Sequence, residues 1–144
     1  MAHAGDFERV ICLGDVVGYG PDPEECVQLL RSLPELTCIM GNHDAAVLNV
    51  ISTGYFNPEA RRALLQQKDL LSQDSINFLR VLPDILIMDE LTLAHGSPRD
   101  PIWEYIDQGR IAWAAFEYFD GQGCLVGHTH TPAIFTESAD FKVR

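Results

Sequence analysis

The chain has 144 residues, 47% of them apolar, and carries 21 acidic against 10 basic side chains for a formal net charge of −11. That is material for one domain with a single core, and its charge repels phosphate backbones and anionic lipid, which excludes non-specific nucleic-acid binding and membrane-surface attachment. No apolar run approaches the roughly 18–20 residues that span a bilayer, so no membrane partner is expected.

The first residues, Met1-Ala2-His3-Ala4-Gly5-Asp6, lack the basic start and apolar run of an export signal, and His3 reads as part of a frayed terminus. Arg9–Leu13, closed by Gly14, reads as a strand buried on both faces. A helix is predicted from Pro23, capped by Asp22, with Cys26, Leu29, Leu30 and Leu33 at helical spacing; Glu24 and Glu25 suit its first turn. Leu36–Met40 is the next strand, ended by Gly41. Three helices follow: Asp44–Ile51, a second opened by Asn57-Pro58 and running to about Lys68, and a third opened by Ser72 or Asp74 and ending before Pro83. Ile85–Met88 and Leu91–Ala94, separated by Asp89-Glu90, predict an antiparallel hairpin. Ser97–Gly109 reads as an irregular loop, and a helix carries the stripe Ala112, Ala115, Phe116, Phe119. Strands at Cys124–Val126 and Ala133–Phe135 complete an α/β pattern with mixed sheets. No linker or repeat divides residues 1–144, which read as a single domain. The cysteines, Cys12, Cys26, Cys38 and Cys124, form no CxxC pair and read as reduced, buried small hydrophobes of a cytoplasmic protein.

One pattern recurs four times: an apolar run ends in Gly or Ala and a metal-capable side chain follows. It is seen at Leu13-Gly14-Asp15, Met40-Gly41-Asn42-His43-Asp44, Leu93-Ala94-His95-Gly96 and Val126-Gly127-His128-Thr129-His130. Ligands of open α/β sheets bind beyond the carboxyl ends of strands, so these tips are expected to meet. Four of the five histidines fall there; His95 alone would read as a structural residue, but not in that company. Imidazole mixed with carboxylate and amide oxygen favours Mn, Fe, Zn, Ni or Co over Ca or Mg. A structural zinc site is disfavoured because no cysteine joins the set. An Asp can bridge two ions, the arrangement that suits phosphoester hydrolysis. Gly18 and Gly20 build a turn beside Asp15 that would bring Tyr19 near a substrate. Arg99 reads as a loop brace or as a phosphate contact, and Trp103, Tyr105, Trp113, Phe116 and Phe119 as packing rather than a base-stacking surface.

The segments GDVVGYGP, GNHD, AHGSP and GHTH, in this order and spacing, resemble the calcineurin-like metallophosphoesterases, most closely the small bacterial and archaeal phosphodiesterases of the YfcE type, over nearly the whole chain. The resemblance implies two mixed β-sheets flanked by helices in α-β-β-α layers. It also implies phosphodiester hydrolysis by a metal-bound hydroxide on a small phosphoester substrate, with a divalent transition metal as cofactor: manganese first, with Fe, Ni, Zn or Co sharing the ligands. Asp15 would bridge two metals, Asn42, His95 and His128 would complete one site, and His130 would ligate the other ion. His43 would face the phosphate and protonate the leaving oxygen with Asp44 holding its ring, and Asn42, Tyr19 and Arg99 would contact substrate. The Asp-x-His that opens the family pattern does not occur here. The expectation is therefore a chain lacking the family's first strand and closing C-terminal strands, holding one metal tightly and hydrolysing weakly or not at all. The alternative is a non-catalytic or weakly active metal-binding or protein-interaction module of the same fold. An uncovered sheet edge would also favour a homo-oligomer.

Overall fold

The computed structural model describes residues 7–137; the expectations for Met1–Asp6, His3 included, lie outside the described residues. The elements follow the predicted order: β1 (Val10–Cys12), α1 (Pro23–Arg31), β2 (Leu36–Cys38), α2 (Asn42–Val47), α3 (Pro58–Lys68), α4 (Gln73–Arg80), β3 (Ile85–Met88), β4 (Leu91–Ala94), α5 (Gly109–Ala115) and β5 (Gly123–Val126), with 3-10 turns at Thr53–Tyr55 and Phe116–Tyr118. They form two sheets, β1-β2 and β3-β4-β5. The chain is mixed α/β and sorts into two compact units that interleave along the sequence. The first takes in the stretch up to Cys12, Val16–Cys38 and His43–Leu82; the second takes in Leu13–Asp15, Ile39–Asn42 and the stretch from Pro83 onward.

In the first unit β1 and β2 run parallel in the register Val10↔Leu36, Ile11↔Thr37, Cys12↔Cys38. Parallel neighbours need a crossover, and α1 supplies it. The pair is parallel throughout rather than mixed, and both strands are half-buried rather than enclosed, since each has one strand neighbour among the described residues. Cys12 and Cys38 are correspondingly half-buried and Cys26 is exposed, so the expectation of buried cysteines is corrected.

Pro23 opens α1 with Glu24 and Glu25 in its first turn, as the helix dipole favours. Asp22 makes no side-chain cap bond; its backbone (φ −118°, ψ 64°) lies off the extended conformation a capping side chain uses. Glu24 instead accepts hydrogen bonds from Ser72 N (2.9 Å), Ser72 Oγ (2.8 Å) and Gln28 Nε2 (2.7 Å). These hold its carboxyl down at about 2, the Ser72 backbone first among them, and tie the start of α1 to the cap of α4. The buried face of α1 is Pro23 and Val27, while Cys26 is exposed and Leu29 is 66% exposed. The four-residue step from Pro23 to Val27 sets the inner stripe, and Cys26 lies a residue's rotation away from it.

The caps of α3 and α4 fall where predicted: Asn57 Oδ1 accepts from Ala60 N (2.8 Å) and Ser72 Oγ from Ser75 N (3.2 Å). Helix α2 starts two residues earlier than expected and ends at Val47. Val17, Val27, Ala46, Val47, Leu64, Leu71 and Leu79 form this unit's core.

In the second unit β3 and β4 pair antiparallel from Ile85↔Ala94 to Met88↔Leu91, and β5 adds parallel to β4. Asp89 turns the hairpin at φ 55°. Central β4 is the enclosed strand, with Leu93 and Ala94 fully buried, whereas edge residue Ile87 is 76% exposed. Helix α5 gives way at Phe116 to a 3-10 turn, so Phe119 leaves the predicted helical stripe. Ala133–Phe135 is irregular rather than a strand: Pro132 removes a backbone donor before it, and Phe135 packs on the small cluster of Ile106, Ala112 and Ala115 instead.

Replacing Val27 by Ala should lower the urea unfolding free energy by about 1–3 kcal/mol, while Leu29→Ala should stay within about 0.5 kcal/mol. Equal effects of the two would contradict the buried face assigned to α1.

Candidate metal centre

Close approach of backbone comes first. Gly14 has φ +90°, and a Cβ there would lie 2.5 Å from Gly41 N; a Cβ on Gly41 would lie 2.2 Å from Asp15 Oδ1. Only glycine at both positions lets the segments Leu13–Asp15 and Ile39–Asn42 meet, and Met40 N pins the second by donating to Pro83 O at 2.7 Å. The ligand positions themselves are bent. Asp15 (φ 54°), His128 (φ 60°) and His130 (φ 54°) all sit in the left-handed region, at a cost of about 1–3 kcal/mol each.

His95, 2% exposed at the end of β4, is the best-defined member. Its Nδ1 lies 2.7 Å from the Leu13 carbonyl oxygen. A carbonyl only accepts, so Nδ1 carries a proton, and in the neutral ring Nε2 presents the lone pair. That lone pair faces Asn42 Oδ1 at 3.1 Å, His128 Nδ1 at 3.1 Å and Asp15 Oδ2 at 3.4 Å. Ligand atoms of Asp15, His95 and His128 all lie within 4.8 Å of one another. The Asn42 carboxamide also meets Asp15 Oδ1 (3.2 Å) and Oδ2 (3.3 Å). With its oxygen inward, acceptors converge on acceptors and a cation resolves the conflict; with its nitrogen inward, the amide donates to the same atoms. The donor set, two imidazoles, a carboxylate and an amide oxygen, suits a divalent transition metal.

The His128 ring stacks on Tyr105 at 3.8 Å and meets the edge of Trp103 at 6.4 Å, which gives these aromatics the packing role read from the sequence. Burial first, then the neighbouring His95, pushes His128 down to about 4, so it is neutral at pH 7 and able to ligate. His130 is exposed and stands outside the group.

His43 and Asp44 belong to the first unit. The His43 ring is 4% exposed and packed between Tyr19 (4.3 Å, tilted) and Phe56 (5.0 Å, edge-on). A Cβ on Gly18 (φ +104°) would lie 2.1 Å from His43 Nδ1, so glycine there makes room for the ring. Fully buried Asp44 accepts from Val17 N at 3.1 Å. Sequence reasoning missed Gln67, which holds the loop carrying Tyr19: its Oε1 accepts from Gly18 N and its Nε2 donates to Gly20 O, both at 2.6 Å. The available signal was a polar residue three positions from buried Leu64 on the inner stripe of α3.

Arg99 acts as a brace in the second unit. It pairs with Glu104 through Nε (3.1 Å) and Nη2, and Ser97 Oγ donates to the same carboxylate at 2.6 Å. A phosphate contact would have to displace Glu104.

Residues 3–132 match the calcineurin-like phosphoesterase family. A metallophosphoesterase from Sphaerobacter thermophilus superposes with a TM-score of 0.79 at 46% identity, covering 90% of this chain and 53% of that one. An uncharacterized protein of Methanocaldococcus jannaschii is 37% identical over 141 residues, 93% of this chain and 56% of its own length. A hypothetical protein from Pyrococcus horikoshii OT3, at 21% identity and a TM-score of 0.70 over 84% of this chain and 56% of its own, shares the fold. The chain spans about half the length of these relatives.

The depressed value at His128 has a testable sign. Between its unfolded value of 6.5 and about 4 the unfolded chain binds a proton the folded chain refuses, so stability must fall as pH falls through that window. In chelator-treated protein, urea unfolding should show a loss of about 1–3 kcal/mol from pH 7 to 4 assignable to this group, and His128→Gln should flatten the slope there.

Proposed function

The chain belongs to the calcineurin-like phosphoesterase family, and from that premise we propose that it hydrolyses phosphoesters, phosphodiesters foremost, with a divalent transition metal held by Asp15, Asn42, His95 and His128. The observation that supports this reading is the convergence of His95 Nε2, oriented by the Leu13 carbonyl, with Asn42, His128 Nδ1 and Asp15 Oδ2, the ligand atoms of Asp15, His95 and His128 lying within 4.8 Å of one another. Bound there, the ion would supply Lewis acidity and the local positive charge that a chain of net charge −11 otherwise lacks toward an anionic substrate.

The chain's own residues account for the rest. Asp15 and Asn42 offer oxygen ligands, and both imidazoles arrive oriented, with the His128 ring neutral at pH 7 so that it need expel no proton to load the site. His43 follows Asn42 directly in sequence and is the proton donor for the leaving oxygen. Its ring is held in one orientation by Tyr19, Phe56 and the bare backbone of Gly18. Asp44, bonded to Val17 N, and Gln67, bonded on both sides of Tyr19, keep that wall from relaxing. A positioned acid of this kind contributes about 10²–10⁴-fold to rate. Tyr19, 58% exposed above the ring, is the residue through which a substrate's organic group would be felt.

Turnover of bis-p-nitrophenyl phosphate with added manganese tests the reading. Asp15→Ala should abolish both metal retention and turnover. His43→Ala should keep the metal and lose about 10²–10⁴ in kcat. A manganese-loaded chain no faster than Asp15→Ala would turn the reading toward a metal-binding module without hydrolysis, and metal loss in His43→Ala would make that residue a ligand.

A further inference from the structure

Cys12 and Cys38 close β1 and β2 and stand directly opposite each other in parallel register. Neighbouring strands lie about 4.8 Å apart, inside the Cα separation of roughly 4.4–6.8 Å that a disulfide spans, and side chains opposite in register leave the same face. Both residues are half-buried thiols, so a small reagent can reach them. Their sulfurs already interact: Cys38 is held in its protonated form, first by its hydrogen bond with Cys12 and then by burial. Cys26 is exposed on α1 and Cys124 lies in β5 of the other unit, and neither faces a second cysteine across a strand pair.

We propose that Cys12 and Cys38 form a reversible dithiol–disulfide site, closed by a two-electron oxidant of the peroxide class and reopened by a dithiol reductant. The sulfur of Cys12, the first residue of the pair in the chain, attacks a peroxide oxygen, and its thiol proton leaves with the departing oxygen. The O–O bond breaks, water leaves, and Cys12 carries a sulfenic acid. The Cys38 sulfur then attacks that sulfur, the S–S bond forms, the S–O bond breaks, and the hydroxyl departs with the Cys38 proton as a second water. Two thiols surrender two electrons and one peroxide becomes two waters.

The geometry favours a switch over a permanent staple. Disulfides prefer a Cβ separation of about 3.8 Å, tighter than the spacing between strands, and bonds formed under such constraint are the readily reduced ones. Asp15 follows Cys12 by three residues and Asn42 follows Cys38 by four, so the bridged pair sits at the root of both chain segments that carry oxygen ligands.

The test starts on the unmodified chain. After peroxide treatment, denaturation, alkylation and digestion, a peptide joining Cys12 to Cys38 should appear, with two of the four cysteines still alkylated; a dithiol reductant should restore all four. Cys26→Ser should keep the linked peptide, and Cys12→Ser and Cys38→Ser should each abolish it. The proposal is overturned if the folded chain yields no such peptide while Cys26 is oxidised, or if Cys12→Ser loses the same two thiols.

Discussion

The hydrogen bond between His95 Nδ1 and the Leu13 carbonyl sets the electrostatics of the second unit. Either ring nitrogen of a neutral histidine can carry the proton, and a bond of 2.7 Å to an atom that only accepts leaves one choice. In the neutral ring the lone pair is then on Nε2, where it meets the Asp15 carboxylate, the Asn42 carboxamide and His128 Nδ1. Each of these groups has left water to come here, and a positive partner would offset that desolvation. A protonated imidazole would be the cheapest cation, but His128 is held neutral by its burial. With the Asn42 oxygen inward, a cation from solution would satisfy the whole group, and the ligand types suit a divalent transition metal.

Reaching that arrangement costs backbone strain and close packing at several points. Asp15 and His128 are both bent into a conformation that branched or bulky residues avoid, and Gly14 and Gly41 leave no space for a single methyl group. Strain at a position persists only when its surroundings over-determine it. Here the determinants are local: Met40 N on Pro83 O, the register of β4 with β5, and Tyr105 stacked on His128. The Ser97–Glu104–Arg99 network does the same for the loop after His95, with one hydroxyl serving as donor to Glu104 and as acceptor for two backbone N–H groups.

Much of this was legible before any coordinates. Runs ending in small residues followed by Asp, Asn or His mark Asp15, Asn42, His95 and His128, because a strand end followed by a residue without bulk is where a side chain can be presented to an ion. Helix starts at Pro58 and Gln73 were legible because Asn57 and Ser72 satisfy backbone donors by a strictly local bond. What escaped was non-local. Asp22 has the right identity for a cap but the wrong dihedral angles. The inner face of α1 depends on which of two adjacent stripes meets a neighbour, and composition there favoured both. Gln67 reads as an ordinary helix residue until its amide is seen spanning Gly18 and Gly20. Arg99 invites a phosphate in sequence, and only the structure sets Glu104 against it.

Folding and ion binding are coupled in such a chain through the same atoms. A site dense in metal-capable groups gains from an ion in the folded state and disperses on unfolding, where each group regains water. Binding confined to the folded state adds RT ln(1 + [L]/Kd), about 4 kcal/mol when the free ion stands at a thousand times Kd. That is comparable to the strain held at Asp15 and His128 together. The ion would thus compensate at its own site the backbone distortion that creates it. The acidic surface assists from a distance, since a net charge of −11 raises the local concentration of cations while holding phosphates off every part of the surface that lacks one. An anion would then settle where a bound cation reverses the local charge, before any side chain reads the rest of the molecule.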